Sequence, residues 1–136
     1  MSVYKSYNLN KLGDHRGSLV ALDKASGLPF EVKRAYYVFN TKSGVARGFH
    51  AHKKLHQMAV CISGSCQMIL DDGFEREVVE MNSNLVGVDL PPMLWHEMHD
   101  FSSDCILLVV ASDCYDEDDY LRDYGQFKLA KINGYI

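Results

Sequence analysis

The chain has 136 residues, 47% of them hydrophobic and 24% charged, which suits one soluble domain built around one core. Its formal net charge is −4 and it has no basic run, so a general nucleic-acid binder, which needs a basic face, is excluded. No apolar run approaches the ~20 residues that cross a bilayer. The first residues, Met1 to Lys5, lack the apolar stretch of a secretory signal. A cytoplasmic protein without a membrane partner is expected.

In chain order the sequence reads as short strands separated by turn signals. The strands are expected at Ser18–Leu22, Ala35–Asn40, Gly48–Leu55, Met58–Ser63, Ser65–Leu70, Glu77–Met81, Leu85–Leu90, Met93–Met98 and Cys105–Ala111. Thr41 to Gly44, Ser63-Gly64-Ser65 and Asp71-Asp72-Gly73 punctuate them, and Pro91-Pro92 interrupts the late strands because proline cannot donate to a ladder. Many short strands at regular spacing favour an all-β barrel or sandwich. One helix is expected near the end, started by Asp116, Glu117, Asp118 and Asp119, whose charges complement the helix dipole, and carrying Tyr120, Leu121, Tyr124 and Phe127. Residues 1–136 form a single domain with no repeat or linker.

The four cysteines (Cys61, Cys66, Cys105 and Cys114) form no Cys-x-x-Cys pair. A zinc ribbon or thioredoxin-type site is therefore not indicated. Cys61, Cys66 and Cys105 lie in apolar runs and read as reduced thiols filling a core.

The segment RGFHAHKKLHQ, from Arg47 to Gln57, carries the chemistry. Side chains alternate along a strand, so His50, His52 and His56 share a parity and face one way if the strand is unbroken. Downstream, Pro92 precedes Trp95-His96-Glu97, and a strand holding His96 can face the first across a small barrel. A lone histidine is usually a satisfied polar residue. Three of matched parity with a fourth on a facing strand indicate a base or a ligand set.

The spacing His-x-His-x-x-x-His, followed by Gly87, Pro92 and His96, resembles the two motifs of the cupin superfamily, with His56 where metal-binding cupins carry Glu. The resemblance implies a jelly-roll β-barrel with a short C-terminal helix. Four segments narrow it: HRGSLVAL (His15 to Leu22), RAYYVFNTK (Arg34 to Lys42), RGFHAHKKL (Arg47 to Leu55) with SGSCQMILDDG (Ser63 to Gly73), and WHEMHDFSSDC (Trp95 to Cys105) with ASDCYDEDDY (Ala111 to Tyr120). Together they are similar to the bacterial sugar-nucleotide 3,4-ketoisomerases that act on dTDP-4-keto-6-deoxyglucose.

That resemblance implies a homodimer with an exchanged N-terminal strand, no metal and no other cofactor, and a place in making deoxysugars for surface glycans such as lipopolysaccharide or an S-layer. It implies a base drawn from His50 and His52. Tyr37 and Arg47 are the expected stabilisers of enediolate charge, but Tyr36 and Tyr37 alternate, so only one of them enters the barrel. Arg16 and His96 resemble the branch that gives the galacto product. Arg34, Tyr36, Arg47 and Lys53, with Trp95 and Tyr115 as stacking surfaces, are the expected substrate-binding set. The rival readings are a metal-dependent cupin using His50, His52, His56 and His96, a sugar-nucleotide 3,5-epimerase, and a non-catalytic ligand-binding cupin.

Overall fold

A computed structural model of the chain describes residues 2–134. The strands are β1 (Ser6–Asn8), β2 (Leu12–Asp14), β3 (Gly17–Leu19), β4 (Arg34–Val38), β5 (Arg47–His52), β6 (Gln57–Ser63), β7 (Cys66–Asp71), β8 (Arg76–Met81), β9 (Val86–Leu90), β10 (Trp95–His99), β11 (Ile106–Ala111) and β12 (Tyr120–Leu121), and one helix, α1 (Tyr124–Ile132), follows. Two five-stranded sheets, ordered β1-β9-β6-β11-β4 and β12-β5-β10-β7-β8, face each other, and β2 with β3 forms a separate hairpin. Every pairing is antiparallel. This is the expected cupin-like barrel. All nine expected strands exist, as β3 to β11, while the very short β1, β2 and β12 carry too little pattern to be read from sequence.

The barrel interior has two ends. Cys61, Cys66, Met68, Met81, Val88, Cys105 and Leu107 fill one with buried apolar side chains. The three cysteines are free thiols there, as expected of core residues, and burial pushes the Cys61 thiol up to about 12. The other end is polar and is lined from β4, β5, β6 and β10.

Near the C-terminus the structure corrects the expectation. The acidic run does not start the helix. Glu117–Asp119 form one 3-10 turn, with Asp116 as its cap, and the chain then lies down as β12 beside β5. The helix begins eight residues later than the first acid, at Tyr124, where Asp123 accepts from Gln126 N–H at 2.9 Å. Phe127 is fully buried and packs against Trp95 and Ala51. The Tyr124 hydroxyl donates to Asp71 at 2.7 Å. No described helix is long and apolar enough to cross a membrane.

Candidate active site

Two local features aim the histidines. The first is a bulge in β5. His96 pairs with His50, but Glu97 pairs with Gly48, so Phe49 has no partner and takes a φ of 64°. Gly48 itself sits at φ 92°, and a Cβ there would stand 3.0 Å from the His96 carbonyl oxygen, so glycine is required. The second is a latch at the end of β5. The Asp119 carboxylate accepts from Lys54 N–H at 2.9 Å and Leu55 N–H at 3.0 Å, and its carbonyl accepts from Lys53 N–H at 2.8 Å. This turn carries the chain across to β6 in the opposite sheet.

His50, His52 and His96 meet inside the barrel. Their ring centroids lie 4.6 Å (His50–His96), 5.0 Å (His50–His52) and 6.0 Å (His52–His96) apart. One ring nitrogen from each lies within 4.8 Å of the others. His52 and His96 are buried, and both ring nitrogens of His52 lack a hydrogen-bond partner. Burial, with His50 alongside, holds His52 well below the usual imidazole range, at about 3, and burial does the same to His96. Desolvation also lowers His50. All three rings are therefore neutral near pH 7 and free to accept a proton. His96 Nδ1 donates to the Leu94 carbonyl at 3.2 Å, which leaves the lone pair of its Nε2 free.

His56 does not join them. The Lys53–Leu55 turn breaks the parity on which the expectation rested. His56 instead bonds Asp89 through Nε2 at 2.6 Å and packs at a tilt against Phe30, ring centroids 4.8 Å apart, as a satisfied structural histidine.

Strand alternation resolves the tyrosine pair. Tyr36 faces inward beside Arg34, and burial pushes its hydroxyl up to about 12, so it stays protonated. Tyr37, expected among the catalytic residues, points out of the barrel and is 63% exposed. Arg34 stands 4.7 Å over the Tyr36 ring and 5.7 Å from that of Tyr115, and its Nη1 is buried without a partner. Arg47 is exposed at the start of β5, close enough to act on the Tyr36 charge. Tyr115 is exposed at the rim and donates to Glu117 at 2.7 Å.

Three other expected residues lie elsewhere. Trp95 faces away from His96 into the contact with α1, donating to Glu97 at 2.9 Å. Lys53 belongs to the latch turn. Arg16 sits at the β2–β3 tip, paired with Asp14 at 2.7 Å and making none of the contacts of the histidine cluster.

Sequence reasoning missed Tyr120, whose ring lies 4.4 Å from His52 and 4.9 Å from His50, and Arg122, stacked 4.1 Å over it. Arg122 is held by Glu117 at 2.9 Å. Both residues fall in or beside the segment read as a helix start, and helical spacing hid the period-2 placement of Tyr120 opposite His52.

A cupin-type barrel with an interior nest of neutral imidazoles is thus the class that fold and site define. The family model described as "FdtA: WxcM-like, C-terminal" matches residues 2–132. Over 131 residues the chain is 54% identical to TDP-4-oxo-6-deoxy-alpha-D-glucose-3,4-oxoisomerase of Aneurinibacillus thermoaerophilus, covering 95% of this chain and 94% of that one. The crystal structure of a 3,4-ketoisomerase from Helicobacter canadensis matches with a TM-score of 0.90 and 41% identity, covering 95% and 97% of the two chains. That of QdtA, a sugar 3,4-ketoisomerase from Thermoanaerobacterium thermosaccharolyticum in complex with TDP, matches with a TM-score of 0.92 and 34% identity, covering 98% of each. The chain belongs to this FdtA, WxcM-like family, that of the sugar-nucleotide 3,4-ketoisomerases.

Proposed function

We propose that the enzyme converts dTDP-4-keto-6-deoxyglucose to dTDP-3-keto-6-deoxygalactose through a C3–C4 enediol. The single observation that carries this is the set of neutral imidazoles that shares one barrel interior with a protonated phenol and an unpaired guanidinium nitrogen. The C4 ketone acidifies the C3 hydrogen. His50 removes that proton, and His52 holds or relays it. The Tyr36 hydroxyl takes the role expected of Tyr37: with Arg34 and Arg47 it steadies the negative charge that develops on the oxygens. Protonation of O4 gives the enediol, and loss of the O3 proton as a proton is returned to C4 leaves a hydroxyl at C4 and the ketone at C3, so no electrons leave the sugar. His96, beside His50, and Arg16 set the face on which C4 is protonated, which favours the galacto product. Arg47 and Arg122 at the rim are suited to the diphosphate, and Tyr115 offers the base a stacking surface. The cytoplasm, where nucleotide-linked sugars are made, is the site of action.

Arg16 reaches such a site from a second copy of the chain. Every residue of β2 and β3 is exposed, including Leu12 and Leu19. An isolated hairpin is marginal in water and needs a surface to lie on. A groove of about 440 Å³, lined by Leu19, Val60, Ile62 and Leu108 together with the polar Lys11 and Asn84, opens beside it on the outer face of the first sheet. Exchange of N-terminal strands in a homodimer covers these groups and carries Arg16 to the partner's histidines.

A metal-dependent variant is the second reading, favoured by the close approach of the three imidazole nitrogens. His50, His52 and His96 suit a divalent ion such as zinc or nickel, which when bound would polarise the ketone as a Lewis acid. Full turnover after exhaustive chelation supports the acid–base reading; loss of turnover that a divalent ion restores supports the metal.

Incubation with dTDP-4-keto-6-deoxyglucose in deuterated water, followed by proton NMR, tests the function. The expected product has its ketone at C3 and deuterium at C4, and a parallel run in ordinary water, where C4 carries hydrogen, should show the galacto H4–H5 coupling. Retention of the C4 ketone with deuterium at C5 would point to an epimerase and contradict it.

A further inference from the structure

Gln57 is 1% exposed, one of the few polar side chains so deeply buried. It opens β6 just after the latch turn, and its register partner on β11 is Ala111, whose register partner on β4 is Arg34. A methyl group is too small to wall Gln57 off from β4. The Tyr36 phenol reaches it, and Gln57 Nε2 donates to the Tyr36 oxygen at 3.2 Å. The other end of the amide, Oε1, is buried with no partner. A buried half-satisfied amide costs free energy that a leucine of similar volume would not, so packing does not explain it.

The direction of the bond has a chemical consequence. A phenol oxygen that accepts from Gln57 keeps its own hydrogen, and that hydrogen points away from Gln57. Arg34, whose Nη1 has no partner, stands 4.7 Å from the centre of the Tyr36 ring, and Tyr120, whose ring lies against His50 and His52, is close enough to act on the Tyr36 hydroxyl.

We propose that Gln57 is a positioning residue that turns the Tyr36 O–H toward the sugar oxygens at C3 and C4. This rests on the assignment of Tyr36 as the oxyanion donor. Gln57 works through Tyr36 in the step where charge builds on oxygen, so its loss acts on kcat more than on KM. The two residues act as one unit, so their losses do not multiply.

A double-mutant cycle tests it. Tyr36→Phe is expected to lower kcat by about a hundredfold, the size of one lost oxyanion donor. Gln57→Leu, an apolar replacement that leaves no unpaired group, is expected to lower kcat roughly tenfold with little change in KM. The combined variant should be no slower than Tyr36→Phe alone. Gln57→Glu keeps the shape but offers a carboxylate that accepts the Tyr36 hydrogen, and it should be slower than Gln57→Leu. Multiplying losses in the double variant, or a Gln57→Glu enzyme with the wild-type kcat, would overturn the assignment while wild-type turnover stands. An inactive wild type would remove the proposed function, and this inference with it.

Discussion

His96 lies directly across the β5–β10 ladder from His50, with their ring centroids 4.6 Å apart. The Gly48–Phe49 bulge begins just beyond this pair and shifts the register by one residue. Gly48→Ala would force a Cβ to within 3.0 Å of the His96 carbonyl oxygen, at a φ that alanine rarely adopts. The expected cost is about 1–3 kcal/mol, with His96 displaced. Chemical denaturation measures the first, and a loss of product stereoselectivity reports the second.

The depressed imidazoles make stability depend on pH in one direction. Burial holds His52 and His96 down to about 3 in the folded chain, against about 6.5 for a free imidazole. The unfolded chain therefore binds more protons between these values, and stability falls as pH drops below about 6.5. Thermal unfolding followed from pH 7 to pH 4 should show a falling midpoint. His96→Asn should flatten that slope. An unchanged slope would mean that the rings are not buried neutral.

Asp119 is expected to couple stability to activity. Its carboxylate holds two N–H groups of the turn after His52, and Oδ2 stands 3.7 Å from His52 Nδ1. Asp119→Ala should cost roughly 1–3 kcal/mol, the worth of the two hydrogen bonds its carboxylate accepts, and should lower kcat by releasing His52. Paired denaturation and rate measurements check both, and Asp119→Asn should recover part of each.

Much of this site is legible in the sequence because a strand has a period of two. His50 and His52 are read correctly from it, and His96 from the facing motif. The same rule misplaced His56, since it assumes an unbroken strand and the Asp119 latch, 63 residues after His56, ends that strand at His52. Alternation could separate Tyr36 from Tyr37 but not say which faced inward; that depends on the register of β4 with β11. Tyr120 and Gln57 were invisible as site residues because their partners are set by long-range pairing, not by local pattern.

Strand exchange makes a prediction about mixed protomers. Arg16→Ala chains should lose galacto selectivity and His50→Asn chains should be inactive, so neither alone gives galacto product at the wild-type rate. In a mixed dimer one site receives Arg16 from the His50→Asn chain and an intact histidine cluster from the other. Refolding the two together should restore selective galacto product formation toward a quarter of the wild-type level, for a random mixture with one fully competent site in half of the dimers. No recovery in mixtures shown to exchange subunits would place Arg16 outside the partner's site.

Abstraction of the C3 hydrogen by His50 is the step from which the rest follows. His50→Asn, soaked with dTDP-4-keto-6-deoxyglucose in deuterated water, should bind the nucleotide with near wild-type affinity. It should show neither isomerisation nor exchange at C3. C3 exchange at the wild-type rate in that variant would contradict the account.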